Sequence, residues 1–126
     1  DTLLATADII SLNAPATTQT TNFFNMTRLS QMQPHTMIVN SARGQLIVED
    51  DMAAALEQGV IGGAALDVFQ AEPLPVSSRL RKAPNLVLTP HVAWYSEAAI
   101  ERLQGLVAKD ITRALNGDPL RKPVRI

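Results

Sequence analysis

The chain contains no cysteine, which excludes disulfides, thiolate metal sites and a cysteine nucleophile together. It also lacks a charge excess. Eleven basic residues stand against 12 acidic ones, for a formal net charge of −1, so no strong field favours nucleic acid, a membrane surface or a polyanion. Its two histidines, His35 and His91, lie far apart, and neither sits in a ligand-spaced cluster, which argues against a metal site. No apolar run reaches the length needed to cross a bilayer, no signal-peptide pattern is visible, and there is no internal repeat. A cytoplasmic protein is the expectation. What is present is 126 residues with 46% hydrophobic composition, enough to bury one core.

Residue 1 is Asp rather than Met, and Asp1 to Ala5 read as the last turn of a helix whose start is missing. A fragment of a longer chain is therefore expected. Beyond it, Ile9-Ile10-Ser11-Leu12 is short, β-branched and mostly apolar, reading as a buried strand that ends at Asn13-Ala14-Pro15. After a polar loop over residues 16–22, Asn25 is placed to cap a short helix with Met26, Leu29 and Met32 on one face. A second strand, Met37-Ile38-Val39, runs out through Asn40-Ser41-Ala42 to Arg43-Gly44. Glu49, Asp50 and Asp51 open a helix where acids complement the dipole, with Met52, Ala55 and Leu56 inward and Gly59 closing it. The third strand is Gly63 to Phe69, followed by a loop punctuated by Pro73, Pro75 and Pro84, and the fourth is Leu86-Val87-Leu88, stopping at Thr89-Pro90. The last helix starts at Ser96 and spaces Ile100, Leu103, Val107, Ile111 and Leu115 helically until Asn116-Gly117, leaving Leu120 to Ile126 as a basic, irregular tail. Buried-looking strands separated by helices or long crossovers predict a parallel sheet in an α/β layer fold.

Ligands bind at the carboxyl ends of strands in such sheets, so the residues just past each strand matter most. The second strand leads to Arg43, whose planar fork suits a carboxylate, and to Gly44, which permits close backbone approach. The third leads to Asp67 and then Glu72, and the fourth to His91, which can carry a proton in either direction near neutral pH. If the strands are parallel and adjacent, Arg43, Glu72 and His91 converge on one cleft as an anion clamp and a carboxylate that orients and charges an imidazole. Taken singly, Arg43 also fits a surface ion pair, Glu72 an exposed loop acid, Asp67 a turn or cap residue, and His91 a loop histidine with one hydrogen bond.

Asn40-Ser41-Ala42-Arg43-Gly44, then Gly63 through Phe69 with Glu72-Pro73, then Asn85 through His91, resemble in order and spacing the D-isomer-specific 2-hydroxyacid dehydrogenase family. The resemblance covers essentially the whole chain and corresponds to the later part of that family's nucleotide-binding domain. It implies a Rossmann-like parallel sheet with flanking helices, incomplete because the first βαβ half is missing, within a two-domain parent. The implied reaction is hydride transfer between a nicotinamide cofactor, NAD with NADP not excluded, and a small 2-hydroxy or 2-oxo acid. By resemblance, Arg43 would bind the substrate carboxylate and carbonyl, His91 would be the acid and base, and Glu72 would hydrogen-bond His91. Asp67 and the backbone near Ala42 would hold the nicotinamide carboxamide, with Arg43 and His91 bordering the cofactor. Ala14-Pro15 and Thr20 would line its other parts. The family is usually homodimeric.

Several letters depart from the family pattern. Asn13-Ala14-Pro15 stands where His-x-Pro is common, and Val48 replaces a frequent N-cap Asp, leaving that cap to Glu49 or Asp50. The run from His91 to Glu97 looks like the C-terminal-binding-protein branch, which makes an NAD(H)-sensing corepressor the alternative function. Trp94 would wall the substrate pocket, or with Tyr95 pack the last helix onto the sheet. No G-x-G-x-x-G occurs, so the pyrophosphate grip and the NAD versus NADP choice are expected upstream of Asp1. The segment alone is expected to be inactive, and substrate identity is not readable from it.

Overall fold

The computed structural model describes residues 2–121. The chain divides into two compact units, one ending at Ala93 and one beginning at Trp94. In the first, a short helix α1 (Thr2–Thr6) precedes strand β1 (Ile9–Leu12), helix α2 (Met26–Leu29), strand β2 (Met37–Asn40), helix α3 (Glu49–Glu57), strand β3 (Gly63–Leu66) and strand β4 (Leu86–Leu88). Single 3₁₀ turns occupy Gly44–Leu46 and Arg79–Lys82. The four strands form one sheet in the order β1-β2-β3-β4, every neighbouring pair parallel.

The register sets the site. Leu12 pairs with Asn40, Asn40 with Leu66, and Leu66 with Leu88. All four strands therefore end at one level, and the residues that follow them emerge along one edge.

The core gathers Ile10, Leu12, Ile38, Ala64 and Leu66 from the strands with Leu29, Met52, Ala53 and Leu56 from the helices. Alternate strand positions behave differently: Ile9, Met37 and Val87 are 64%, 45% and 60% exposed. The runs that read as buried strands are thus covered on one face and open on the other, as the period-2 geometry of a strand permits.

Local signals held to differing degrees. Asn25 caps α2, its side chain accepting from the Arg28 amide at 3.2 Å. Met32 lies past the end of that four-residue helix yet is buried. The expected cap of α3 by Glu49 or Asp50 does not form; Val48 is the N-cap residue and provides no side-chain bond. The acids reach across the fold instead. Asp51 Oδ2 accepts from the Met26 amide at 2.8 Å and Glu49 Oε1 from the Gln70 amide at 2.7 Å. The first of these donors is one that an isolated helix would leave to water, and the second lies in the connection after β3. The third strand stops at Leu66, so Asp67 to Phe69 belong to the connection that follows it.

The second unit is dominated by helix α4 (Glu97–Leu115), capped by Ser96, whose hydroxyl accepts from the Ala99 amide at 3.1 Å. Its apolar stripe has the anticipated spacing, but among the described residues no α4 side chain is buried. Arg121 turns back onto the helix through Asp110, at 2.9 and 3.0 Å, and the Leu106 carbonyl. Residues 122–126 of the expected tail lie outside the described residues. No helix among the described residues is long and apolar enough to cross a membrane.

Candidate active site

Beyond β2 the chain is held by Asn40, a fully buried polar side chain. Its Oδ1 accepts from the Ala42 amide at 3.0 Å and its Nδ2 donates to the Arg43 carbonyl at 2.9 Å. Burying an amide is tolerable when both ends are paired, and this pairing fixes the backbone on either side of Arg43. Arg43 Nη1 donates to the Ala42 carbonyl at 2.6 Å. Gly44 then packs against the Phe69-Gln70 backbone so closely that a β-carbon there would lie 2.0 Å from the Phe69 carbonyl carbon. The connections following β2 and β3 meet at that glycine.

Glu72 lies a few residues further. Its Oε1 accepts from the Phe69 amide at 3.0 Å, and its Oε2 is 2.8 Å from His91 Nδ1. The hydrogen bond with His91, followed by that from the Phe69 amide, holds the Glu72 carboxyl below its ordinary range. Glu72 is therefore an anion at neutral pH, held against His91 Nδ1.

His91 itself has a φ of 56°, in the left-handed region that a β-carbon disfavours. Asp67 sits beneath this loop, 6% exposed. Burial alone would raise its carboxyl, but donors from Thr89, Ala93 and Val92 outweigh it and hold the group below its usual value.

Arg43, Gln45, Gln70, Glu72 and His91 border one hollow of about 240 Å³. A larger, mostly apolar hollow of about 380 Å³ shares Glu72 and His91 and is closed by Phe69, Leu74, Leu88 and Arg81. The three residues expected to converge do so. Ala14, Pro15, Thr20, Ala42 and Asp67 line neither hollow. They lie instead along the strand tips: Thr20 Oγ1 donates to the Pro15 carbonyl at 2.7 Å and accepts from the Thr17 amide at 2.8 Å, shaping the loop after β1. Trp94 belongs to the second unit, where its ring meets Tyr95 edge-on at 5.4 Å. Asn40, Gln45 and Gln70 were not singled out by sequence reasoning. Gln70 Nε2 donates to the Ile47 carbonyl at 2.6 Å, a bond between residues 23 positions apart that no local pattern announces.

The loops at residues 13–15, 41–43, 67 and 89–91 follow four parallel strands that end in register. Such an edge is where α/β sheets bind ligands, and here it carries a guanidinium and a carboxylate-bound imidazole. The model of the D-isomer specific 2-hydroxyacid dehydrogenase NAD binding domain matches residues 1–93. The chain belongs to this family. Within the D-2-hydroxyacid dehydrogenases it is 40% identical over 118 residues to glyoxylate reductase of Thermofilum pendens, covering 94% of this chain and 35% of that one. It is 43% identical over 126 residues to D-3-phosphoglycerate dehydrogenase of a Synechocystis strain, covering 100% of this chain and 23% of the relative. The NAD-complexed D-isomer specific 2-hydroxyacid dehydrogenase of Lactobacillus delbrueckii ssp. bulgaricus superposes with a TM-score of 0.86 at 31% identity, over 98% of this chain and 42% of that one. The chain thus spans less than half the length of each of these dehydrogenases. The match confirms the parallel α/β sheet expected from the strand pattern and its Rossmann-like character, which the resemblance implied.

Proposed function

We propose that this chain is the later part of the nucleotide-binding domain of a two-domain, nicotinamide-dependent oxidoreductase that interconverts small 2-oxo and 2-hydroxy acids. The observation that carries it is the single hollow bordered by Arg43, Glu72 and His91 at the carboxyl edge of a parallel sheet. The cofactor, when bound, would supply the hydride as NADH in reduction and accept it as NAD+ in oxidation.

Arg43 binds the carboxylate and carbonyl oxygen of the 2-oxo acid through the donors of its fork not given to Ala42. As the carbonyl carbon is reduced, negative charge grows on the carbonyl oxygen, and the fixed guanidinium offsets it. His91 Nε2 gives its proton to that oxygen, yielding the hydroxyl, and takes it back in oxidation. Glu72 keeps the ring oriented through its contact with Nδ1. Ala14, Pro15, Thr20, Ala42, Arg43, Asp67 and His91 are proposed to border the cofactor along the strand tips. The protein is further read as a homodimer, by family resemblance alone, and as cytoplasmic, the expectation of the sequence reading. Relatives that are reductases and dehydrogenases favour turnover over the corepressor-type sensing alternative.

The test is steady-state reduction of a panel of 2-oxo acids by the full-length protein with NADH and with NADPH, repeated with His91→Gln. A loss of roughly two to four orders of magnitude in kcat/KM is expected for the variant. Absence of turnover with every acid, or a variant as fast as the native protein, would remove the assignment.

A further inference from the structure

We infer that the larger hollow beside His91 is the substrate's side-chain pocket, and that the acid it admits carries a hydrocarbon chain of several carbons; this names the substrate class of the reading given above and rests on it. The two hollows adjoin. Phe69, Glu72 and His91 border both, while Arg43 borders only the smaller one and Leu74 and Leu88 only the larger. The carbonyl carbon of a 2-oxo acid is planar, so its carboxylate, its oxygen and its side chain spread in one plane. With the carboxylate and the oxygen on Arg43 and that oxygen against His91, the side chain leaves on the side away from the guanidinium. The hollow that keeps His91 but not Arg43 is the one of about 380 Å³, within the roughly 300–1,000 Å³ of small-molecule pockets.

Its walls are set by the fold. Phe69 and Leu74 are buried members of the core and Leu88 packs against it, so the apolar lining does not depend on mobile surface side chains. The polar groups on these walls are already partnered. Glu72 gives one oxygen to the Phe69 amide and the other to His91 Nδ1, and the Thr89 hydroxyl donates to Asp67 Oδ1 at 2.5 Å. Arg81 Nε donates to the Pro75 carbonyl at 2.9 Å and its Nη2 to the Leu74 carbonyl at 2.5 Å, so this guanidinium braces the loop that carries Leu74. What the hollow offers a ligand is apolar surface.

Selectivity follows from that chemistry. A hydroxyl or second carboxylate entering the hollow would shed water without gaining a partner, and a carboxylate would also meet the Glu72 anion. A hydrocarbon chain meets neither obstacle. Each methylene it buries is worth about a three- to four-fold gain in affinity.

The experiment measures kcat/KM of the full-length protein with NADH and with NADPH for pyruvate, 2-oxobutanoate, 2-oxopentanoate and 4-methyl-2-oxopentanoate, with hydroxypyruvate and 2-oxoglutarate as polar counterparts. The last of the apolar series has three more carbons than pyruvate and is expected to exceed it by roughly thirty- to sixty-fold. Leu88→Phe, which fills the hollow from a half-buried position, is expected to cut that ratio by about ten-fold or more. A ratio that is flat or falls with chain length while pyruvate is reduced overturns the inference and leaves the proposed function standing. So does a preference for hydroxypyruvate or 2-oxoglutarate over the apolar acids. A second measurement needs neither turnover nor a variant that performs well: methyl NMR of the native full-length protein with NAD+, which cannot reduce the acid, and 4-methyl-2-oxopentanoate. Nuclear Overhauser contacts are expected between the acid's terminal methyls and those of Leu74 and Leu88, and their absence overturns the inference. Failure to reduce any 2-oxo acid would instead remove the proposed function, and these contacts would still decide what the hollow holds.

Discussion

Gly44→Ala tests whether the active-site edge depends on the contact between the connections after β2 and β3. The φ of Gly44 lies outside the left-handed region, so alanine meets no conformational objection there. The objection is space alone. A β-carbon would lie 2.0 Å from the Phe69 carbonyl carbon, 2.2 Å from its oxygen and 2.5 Å from the Gln70 amide nitrogen, all inside the 3.0 Å limit that real β-carbons respect. Heavy atoms in contact settle at about 3.5–4.0 Å, so the Phe69-Gln70 backbone would have to retreat by an ångström or more. Overpacking of this kind costs roughly 1–3 kcal/mol, and here the upper end applies because the obstacle is backbone rather than a flexible side chain. The same retreat separates Arg43 from Glu72 and His91, and a misplacement of about 1 Å can cost roughly a hundred-fold in rate. Urea unfolding at constant slope gives the first number, and kcat/KM for a 2-oxo acid gives the second. Gly105→Ala is the control. It adds a methyl to an open position in α4 with no atom within 4 Å, and should stabilise by roughly 0.5–1 kcal/mol through helix propensity. A Gly44→Ala protein with native urea midpoint and native kcat/KM would refute the packing argument.

Two further outcomes follow from the same contacts. Glu72 and Asp67 both have lowered carboxyl pKa values; the stability they confer is full above the ordinary carboxylate range of about 3.9–4.3 and is lost as pH falls through their lower folded values. Urea midpoints measured across that acid range should therefore drop less steeply in Asp67→Asn and Glu72→Gln than in the native protein, and parallel curves would contradict this. Asn25→Ala removes the side-chain acceptor for the Arg28 amide at the start of α2 and should cost about 1 kcal/mol, readable as a urea midpoint shift without change in KM.

Much of the fold was legible because its signals are local. Ile9–Leu12, Met37–Val39 and Leu86–Leu88 were visible as apolar runs bounded by turn residues, and Asn25 and Ser96 as caps. Arg43, Glu72 and His91 were legible from their places after strands and from their family resemblance. Asn40, Gln70 and the reach of Asp51 were not, because each depends on what the chain brings near. Asp51 meets Met26 across 25 residues and Gln70 meets Glu49 across 21. An acid in the first turn of a helix looks the same in sequence whether it faces water or another helix's amide.

By itself the amino-acid order determined that four short strands would alternate with helices or long connections, and that a guanidinium, a carboxylate and an imidazole would follow three of them. Only the tertiary structure decided that those strands end in register, so that the three groups share one hollow, and that the buried Asp67 carboxylate grips the loop on both sides of His91. The physical reason is range. Hydrophobic periodicity and capping act within a few residues and are written in the local sequence. Register and the pairing of a buried charge are instead settled by contacts between segments that sequence leaves far apart.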